Sequence, residues 1–161
     1  MRTYAESPHD SHTKFGETSP VAPAGQRGTV RRMWSDRSPA VCPCGSGTPY
    51  GGCCGRLHRG AAADTAEQLM RSRYAAFVVG DDSYLFRTWH PRTRPDDLTL
   101  PSDRAWTGLD VLATEAGGPG DSDGLVEFEA HYVAGDRPGV QHEVSRFERR
   151  RGVWVYVDAQ P

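Results

Sequence analysis

All four cysteines of this 161-residue chain fall in one run, Cys42-Pro43-Cys44-Gly45-Ser46-Gly47-Thr48-Pro49-Tyr50-Gly51-Gly52-Cys53-Cys54. No other feature limits the fold so tightly. A disulfide framework spreads its cysteines to staple distant segments, whereas a metal site gathers them. The spacing C-x-C, eight residues, C-C lets four thiolates complete a tetrahedron at metal–sulfur distances near ~2.3 Å. The glycines between the pairs let the backbone turn back on itself. Cys42, Cys44, Cys53 and Cys54 fill every ligand place and leave none for water, which predicts a structural zinc site rather than a catalytic one. So polar a segment has no core of its own, and metal binding would supply its folding energy. Two other readings stand beside this one. A redox pair usually spaces its cysteines by two in a βα context, and inert thiols would need apolar cover that this stretch lacks. His58, four residues beyond Cys54, can face the same way on a helical turn and take the place of one cysteine.

The rest of the chain divides by pattern. Residues 1–38 are rich in Ser, Thr, Pro and Gly, and their few apolar residues follow neither a helical nor a strand period. Such a segment cannot bury enough surface to offset the entropy of ordering it, so it is predicted as a disordered tail. Translation starting at Met33 is a second reading of the same segment. Residues 39–60 hold the cysteine motif. Residues 61–161 form an α+β domain: helices first, then an antiparallel meander. Asp64 with Glu67 reads as a capping box for a helix running to Gly80. Asp81 or Asp82 caps a second, shorter helix that reaches Trp89 and is ended by Pro91. Strands are predicted at 97–100, 106–114, 125–134, 140–149 and 153–158.

Pairing these strands through a five-residue loop at 135–139 sets Tyr132 opposite His142 and Phe128 opposite Arg146. One face then carries Val126, Phe128, Ala130, Tyr132, Val144, Val153, Val155 and Val157, with His142 and Arg146 among them. The helices are expected to cover that face. The other face carries Glu127, Glu129, His131, Glu143, Ser145, Phe147, Trp154, Tyr156 and Asp158, with His131 and Glu143 as a surface pair. A one-residue slip exchanges the two sets. Tyr132, His142 and Arg146, with Trp89 and Trp106, are therefore the candidate lining of a pocket between sheet and helices. The competing reading makes Arg146 the partner of a carboxylate and His142 a hydrogen-bonded core histidine.

Several function classes are excluded or disfavoured. Residues 38–161 contain 13 arginines against 17 acidic residues, so no basic field is available for nucleic acid. No apolar run approaches the roughly 18 residues of a membrane helix. No nucleophile elbow, phosphate loop, dinucleotide fingerprint or His-Glu zinc helix is present, and no catalytic residue is assigned. The abundance of arginine, with Lys14 the one lysine, reads as high-G+C bacterial codon usage.

The run Cys42–Cys54, with its Gly-Ser-Gly and Tyr50, resembles the SEC-C zinc motif, which also ends the bacterial preprotein-translocase motor. The residues Cys53-Cys54-Gly55-Arg56-Leu57-His58, 65–74, Thr88-Trp89-His90-Pro91, Val126-Glu127-Phe128, His142-Glu143 and Ser145-Arg146-Phe147 resemble the YchJ-like bacterial family. That resemblance implies a SEC-C zinc motif followed by a nuclear-transport-factor-2-like domain, a cystatin-like cone with helices on a curved antiparallel sheet. The resemblance to SEC-C motifs implies that the knuckle, beside Tyr50, Arg56, His58 and Arg59, contacts other proteins, and the chain is expected in the cytoplasm. The alternative expectation is a small-molecule-binding protein or enzyme of isomerase or dehydratase type using the cone cavity. It rests on analogy between folds.

Overall fold

The computed structural model describes residues 39–161; the expectations for the tail and for a start at Met33 lie outside the described residues. Three helices are followed by four strands. The helices are α1 (Cys54–His58), α2 (Ala66–Val79) and α3 (Asp82–Arg87); the strands are β1 (Ala105–Ala116), β2 (Asp123–Ala134), β3 (Arg137–Arg150) and β4 (Val153–Ala159). The strands form one antiparallel meander in the order β1-β2-β3-β4.

Helix α2 begins one residue later than the pattern suggested. Thr65 is the cap and accepts from the Gln68 amide at 3.1 Å, while the Gln68 side chain accepts from the Asp64 amide at 2.7 Å. Thr65 and Gln68 take the parts expected of Asp64 and Glu67, with Gln68 reaching back to the amide one residue before the cap. Gly80 closes the helix in the left-handed conformation, and Asp81 caps α3 through the Tyr84 amide. Helix α3 stops at Arg87, short of Trp89. The chain there pairs instead with β4: His90 N–H donates to Tyr156 O at 2.7 Å and Tyr156 N–H to Thr88 O at 2.9 Å. Residues 97–100 are not a strand. Their two-residue period comes from Leu98 and Leu100, which pack on the core from a loop between Pro95 and Pro101.

The β2–β3 register corrects the main sequence expectation. Ala134 pairs with Arg137, Tyr132 with Gly139, Phe128 with Glu143 and Val126 with Ser145. The connection is a two-residue turn, Gly135-Asp136, with Gly135 at φ 60°, the position a type II′ turn reserves for glycine. Pro138 lies inside β3 rather than in the expected five-residue loop. It is tolerated because β4 first pairs with β3 at Ser145, so at Pro138 the strand has an open edge and its missing N–H costs no ladder bond. The resulting shift is odd in number. It leaves the β2 residues facing the helices as expected and inverts the face of everything beyond.

Phe147, Ser145 and Trp154 therefore lie in the core, at 2%, 2% and 3% exposure. His142 and Arg146 lie on the outer face. His142 Nε2 sits 2.7 Å from Glu127, and Arg146 makes a two-pronged pair with Asp158 at 2.5 Å for each hydrogen bond. Val144, Val153 and Val157 share that outer face, where Val155 alone is well covered. His131 pairs with Asp110 at 2.8 Å rather than with Glu143. Two bulges in β1, at Thr107 and Leu112, bring Trp106, Leu109 and Val111 onto the core side.

This register makes a direct prediction. Phe147→Ala lowers stability by about 3–5 kcal/mol, whereas His142→Ala stays within roughly 0.5 kcal/mol. Urea denaturation of both variants checks it, and the reverse order would restore the five-residue-loop register.

Candidate metal centre and the cavity beneath the helices

The cysteine segment is a small knuckle. Val41 and Pro49 form a short antiparallel bridge, and Cys42 N–H donates to Thr48 O at 2.8 Å, so the first cysteine pair sits at the turn of a miniature hairpin. A single 3₁₀ turn, Tyr50–Gly52, then leads to α1, which carries Cys54. The four sulfurs lie within 4.8 Å of one another. Cys44 and Cys53 are 3.7 Å apart, and Cys53 and Cys54 3.9 Å. The edge of a tetrahedron with metal–sulfur bonds near ~2.3 Å is about 3.8 Å. All four cysteines are free, with Cys42, Cys44 and Cys54 buried and Cys53 half-buried. The donor set and its spacing fit one tetrahedral, thiophilic cation.

The electrostatics of the bare cluster point the same way. The thiol of Cys54 donates to Cys44 and holds the Cys44 pKa down to about 4. Burial pushes Cys42 up to about 11. Cys54 is pushed up as well, first by that same hydrogen bond and then by burial. The cluster thus favours the Cys44 thiolate and keeps Cys42 and Cys54 protonated, through burial and the shared hydrogen bond. A divalent ion relieves that restraint.

His58 does not join the cysteines. Its Nε2 donates to Ser72 O at 2.8 Å, and its Nδ1 accepts from the Tyr50 hydroxyl at 2.7 Å. Both nitrogens are used, and the ring stacks against Tyr84 at 4.3 Å between centroids. The residue ties the knuckle to α2 from inside. Tyr50 is equally buried, so neither belongs to an exposed knuckle surface. Gly55 makes the approach feasible: a Cβ there would stand 2.7 Å from Tyr50 O and 2.9 Å from its ring. Arg71 on α2 adds a hydrogen bond to Cys44 O at 3.0 Å. What the knuckle does expose is Val41, at 60%, with residues 45–48 and Arg59.

A cavity of about 330 Å³ opens between α2 and the sheet. Trp89 and Trp106 line it; His142 and Arg146 are on the other side of the sheet, and Tyr132 reaches it only by its edge-on contact with Trp106 at 5.7 Å. The polar groups that do face the cavity are Arg73, Thr99, Gln141, Glu143, Ser145 and Tyr156. Sequence reasoning missed them. Arg73 had a readable signal, since it falls in the stripe Ala66, Leu69, Met70, Arg73, Phe77, where every other member is apolar. Glu143 had none, because its face depended on the register.

A nuclear-transport-factor-2-like α+β domain preceded by a four-cysteine SEC-C knuckle is thus the class of protein that fold and site define. The family model "YchJ, middle NTF2-like domain" matches residues 65–159, and the chain belongs to that family. A UPF0225 protein of Streptomyces coelicolor is 57% identical over 120 residues, covering 74% of this chain and 94% of that protein. A UPF0225 protein of Corynebacterium glutamicum is 52% identical over 116 residues, covering 71% and 92%. Among solved structures, a SEC-C motif containing protein from Rhodopseudomonas palustris is similar with a TM-score of 0.66 and 35% identity, covering 74% of this chain and 97% of that one. Another, from Psychrobacter arcticus, gives 0.62 and 30%, covering 76% and 82%. Among the described residues no helix is long and apolar enough to cross a membrane.

Two outcomes follow for His58. His58→Ala leaves the metal content per chain unchanged while lowering stability by about 1–3 kcal/mol, because it orphans the Ser72 carbonyl and the Tyr50 hydroxyl; elemental analysis with thermal unfolding reads both. Burial also lowers the His58 pKa from 6.5. The ring therefore stays neutral in the folded chain, and its contribution is complete above pH 6.5 and declines as the pH falls below that value. An NMR titration midpoint for His58 above 6.5 would contradict this.

Proposed function

We propose that the four cysteines hold one structural Zn²⁺ and that the knuckle so formed is a protein-interaction module on the cone-like domain, working in the reducing cytoplasm. The observation that carries the zinc reading is the closed set of four sulfurs at tetrahedral-edge spacing, with no ligand position left for water or substrate. Zinc then does for residues 39–60 what a core does elsewhere, at an apparent binding free energy on the order of 10–16 kcal/mol. Support for the interaction role comes from the knuckle's outer rim. Val41 is an exposed apolar side chain at the open end of the small hairpin, where it pairs with Pro49; Arg59, whose guanidinium donates to Gly51 O at 2.8 Å, is exposed on the same knuckle. An apolar side chain held on a hydrogen-bonded hairpin is a low-entropy contact for a partner.

Elemental analysis of the purified full chain should give one zinc per chain, and Cys54→Ser should abolish it and unfold the knuckle. Affinity capture then compares wild type, Cys53→Ser and Val41→Glu. Both variants should lose the same partners, with zinc retained in Val41→Glu. Unchanged partners on a zinc-free Cys53→Ser chain would defeat the interaction role.

A further inference from the structure

The cavity beneath α2 contains a charge arrangement that the packing of the domain does not require. Arg73 is 6% exposed. Its guanidinium lies between two aromatic faces, 4.5 Å from the Tyr156 centroid and 5.1 Å from that of Trp89. One terminal nitrogen donates to Leu85 O at 2.9 Å and to Thr88 Oγ1 at 2.8 Å. A guanidinium has five N–H donors in a planar fork, so the rest of the fork has no protein acceptor among the described residues. No carboxylate lies within ion-pair distance of it there. Burial draws its pKa down to about 10, which still leaves it charged at neutral pH.

The nearest acidic group is engaged elsewhere. Glu143 accepts from Ser145 Oγ at 2.5 Å, from the Tyr156 hydroxyl at 3.2 Å and from Gln141 Nε2 at 3.3 Å. The Tyr156 side chain thus has Arg73 over its ring and Glu143 at its hydroxyl. The carboxylate has its own donors, and the buried cation keeps an unmet demand for an anion. An unpaired buried charge is costly unless something pairs with it. The remaining wall is apolar and largely aromatic, from Met70, Tyr74, Phe77, Trp106 and Phe128. About 330 Å³ is room for a molecule of one or two rings.

We propose that this cavity is a binding site for small monocarboxylic acids with an aromatic or alicyclic body. Arg73 holds the carboxylate with its free fork edge, a geometry that guanidinium matches in two parallel hydrogen bonds. The Trp106–Phe77–Tyr74 wall takes the ring. Glu143 marks the polar limit of the site and discriminates against a second negative charge. The site is separate from the knuckle surface and does not depend on the interaction role proposed for it.

The test uses the purified full chain, with benzoate, phenylacetate and cyclohexanecarboxylate as probes and benzamide as the uncharged control. Indole N–H resonances report position. Trp89 and Trp106 line the cavity, whereas the Trp154 indole is bonded to Asp64 O at 3.2 Å outside it and serves as the internal control. The carboxylates should shift Trp89 and Trp106 saturably, leave Trp154 still, and bind roughly tenfold or more tighter than benzamide. Arg73→Gln should weaken benzoate by roughly tenfold or more, and Glu143→Gln, which removes the opposing charge, should tighten it by about threefold or more. Equal affinity for benzoate and benzamide overturns the proposal. So does silence at both indoles up to about 10 mM of every acid, or unchanged binding by a folded Arg73→Gln chain. If Arg73→Gln fails to fold, Glu143→Gln decides: unchanged or weaker benzoate binding overturns it.

Discussion

Burial of α2 on two sides organises the molecule. One side of the helix meets the sheet, where Leu69, Met70, Tyr74 and Ala76 join Val126, Ala130, Phe147 and Trp154. The other meets the cysteine knuckle, where Ala75, fully buried, packs with Cys42, Cys44, Cys54 and Tyr50. Only a small side chain at that point lets the knuckle backbone come close. A helix covered on both sides has few positions free for polar residues, and those it buries must be satisfied within the protein. Ser72 does so by donating to Leu69 O at 2.7 Å and meeting the Tyr84 hydroxyl at 2.6 Å. His58 completes the pattern by bonding the Ser72 carbonyl from the knuckle side.

The consequence is a division of labour between the two sides of one helix. On the knuckle side the buried side chains of His58, Ser72 and Tyr50 are hydrogen-bonded and the four sulfurs are gathered within 4.8 Å of one another, which suits a rigid structural element. On the sheet side Arg73 is held in place by Leu85 O, Thr88 and two aromatic rings, yet much of its hydrogen-bonding capacity is left over. Trp89 shows a similar excess, since its indole N–H is buried with no acceptor among the described residues. Unused capacity in a cavity is the usual mark of a place built for something other than stability.

Legibility in the sequence followed the range of the interactions involved. The gathering of the four cysteines, the Asp81 cap of α3 and the α-then-β order were readable because each depends on residues a few positions apart. The capping box was one residue out, since Asp64-x-x-Glu67 and Thr65-x-x-Gln68 are overlapping solutions to the same problem and only packing chooses between them. The faces of β3 and β4 were misread for a different reason. Gly-Asp-Arg-Pro-Gly admits both a two-residue and a five-residue turn, and the side-chain period of two converts that local ambiguity into an inversion of the sheet. His142 and Arg146 went to the exposed face with their carboxylate partners, and Glu143, Ser145 and Tyr156 came in.

By itself, then, the sequence determined the four-cysteine cluster, the helical segment that supports it and the four strands of the meander. Spacing and local hydrogen bonding are enough for these. Only the tertiary structure decided which residues meet at the cavity. That meeting joins Arg73 on a helix, Trp89 on the segment after α3, Glu143 on β3 and Tyr156 on β4. Their convergence depends on a register set by a single turn and by the open edge that accommodates Pro138, and neither is visible in any one stretch of the chain.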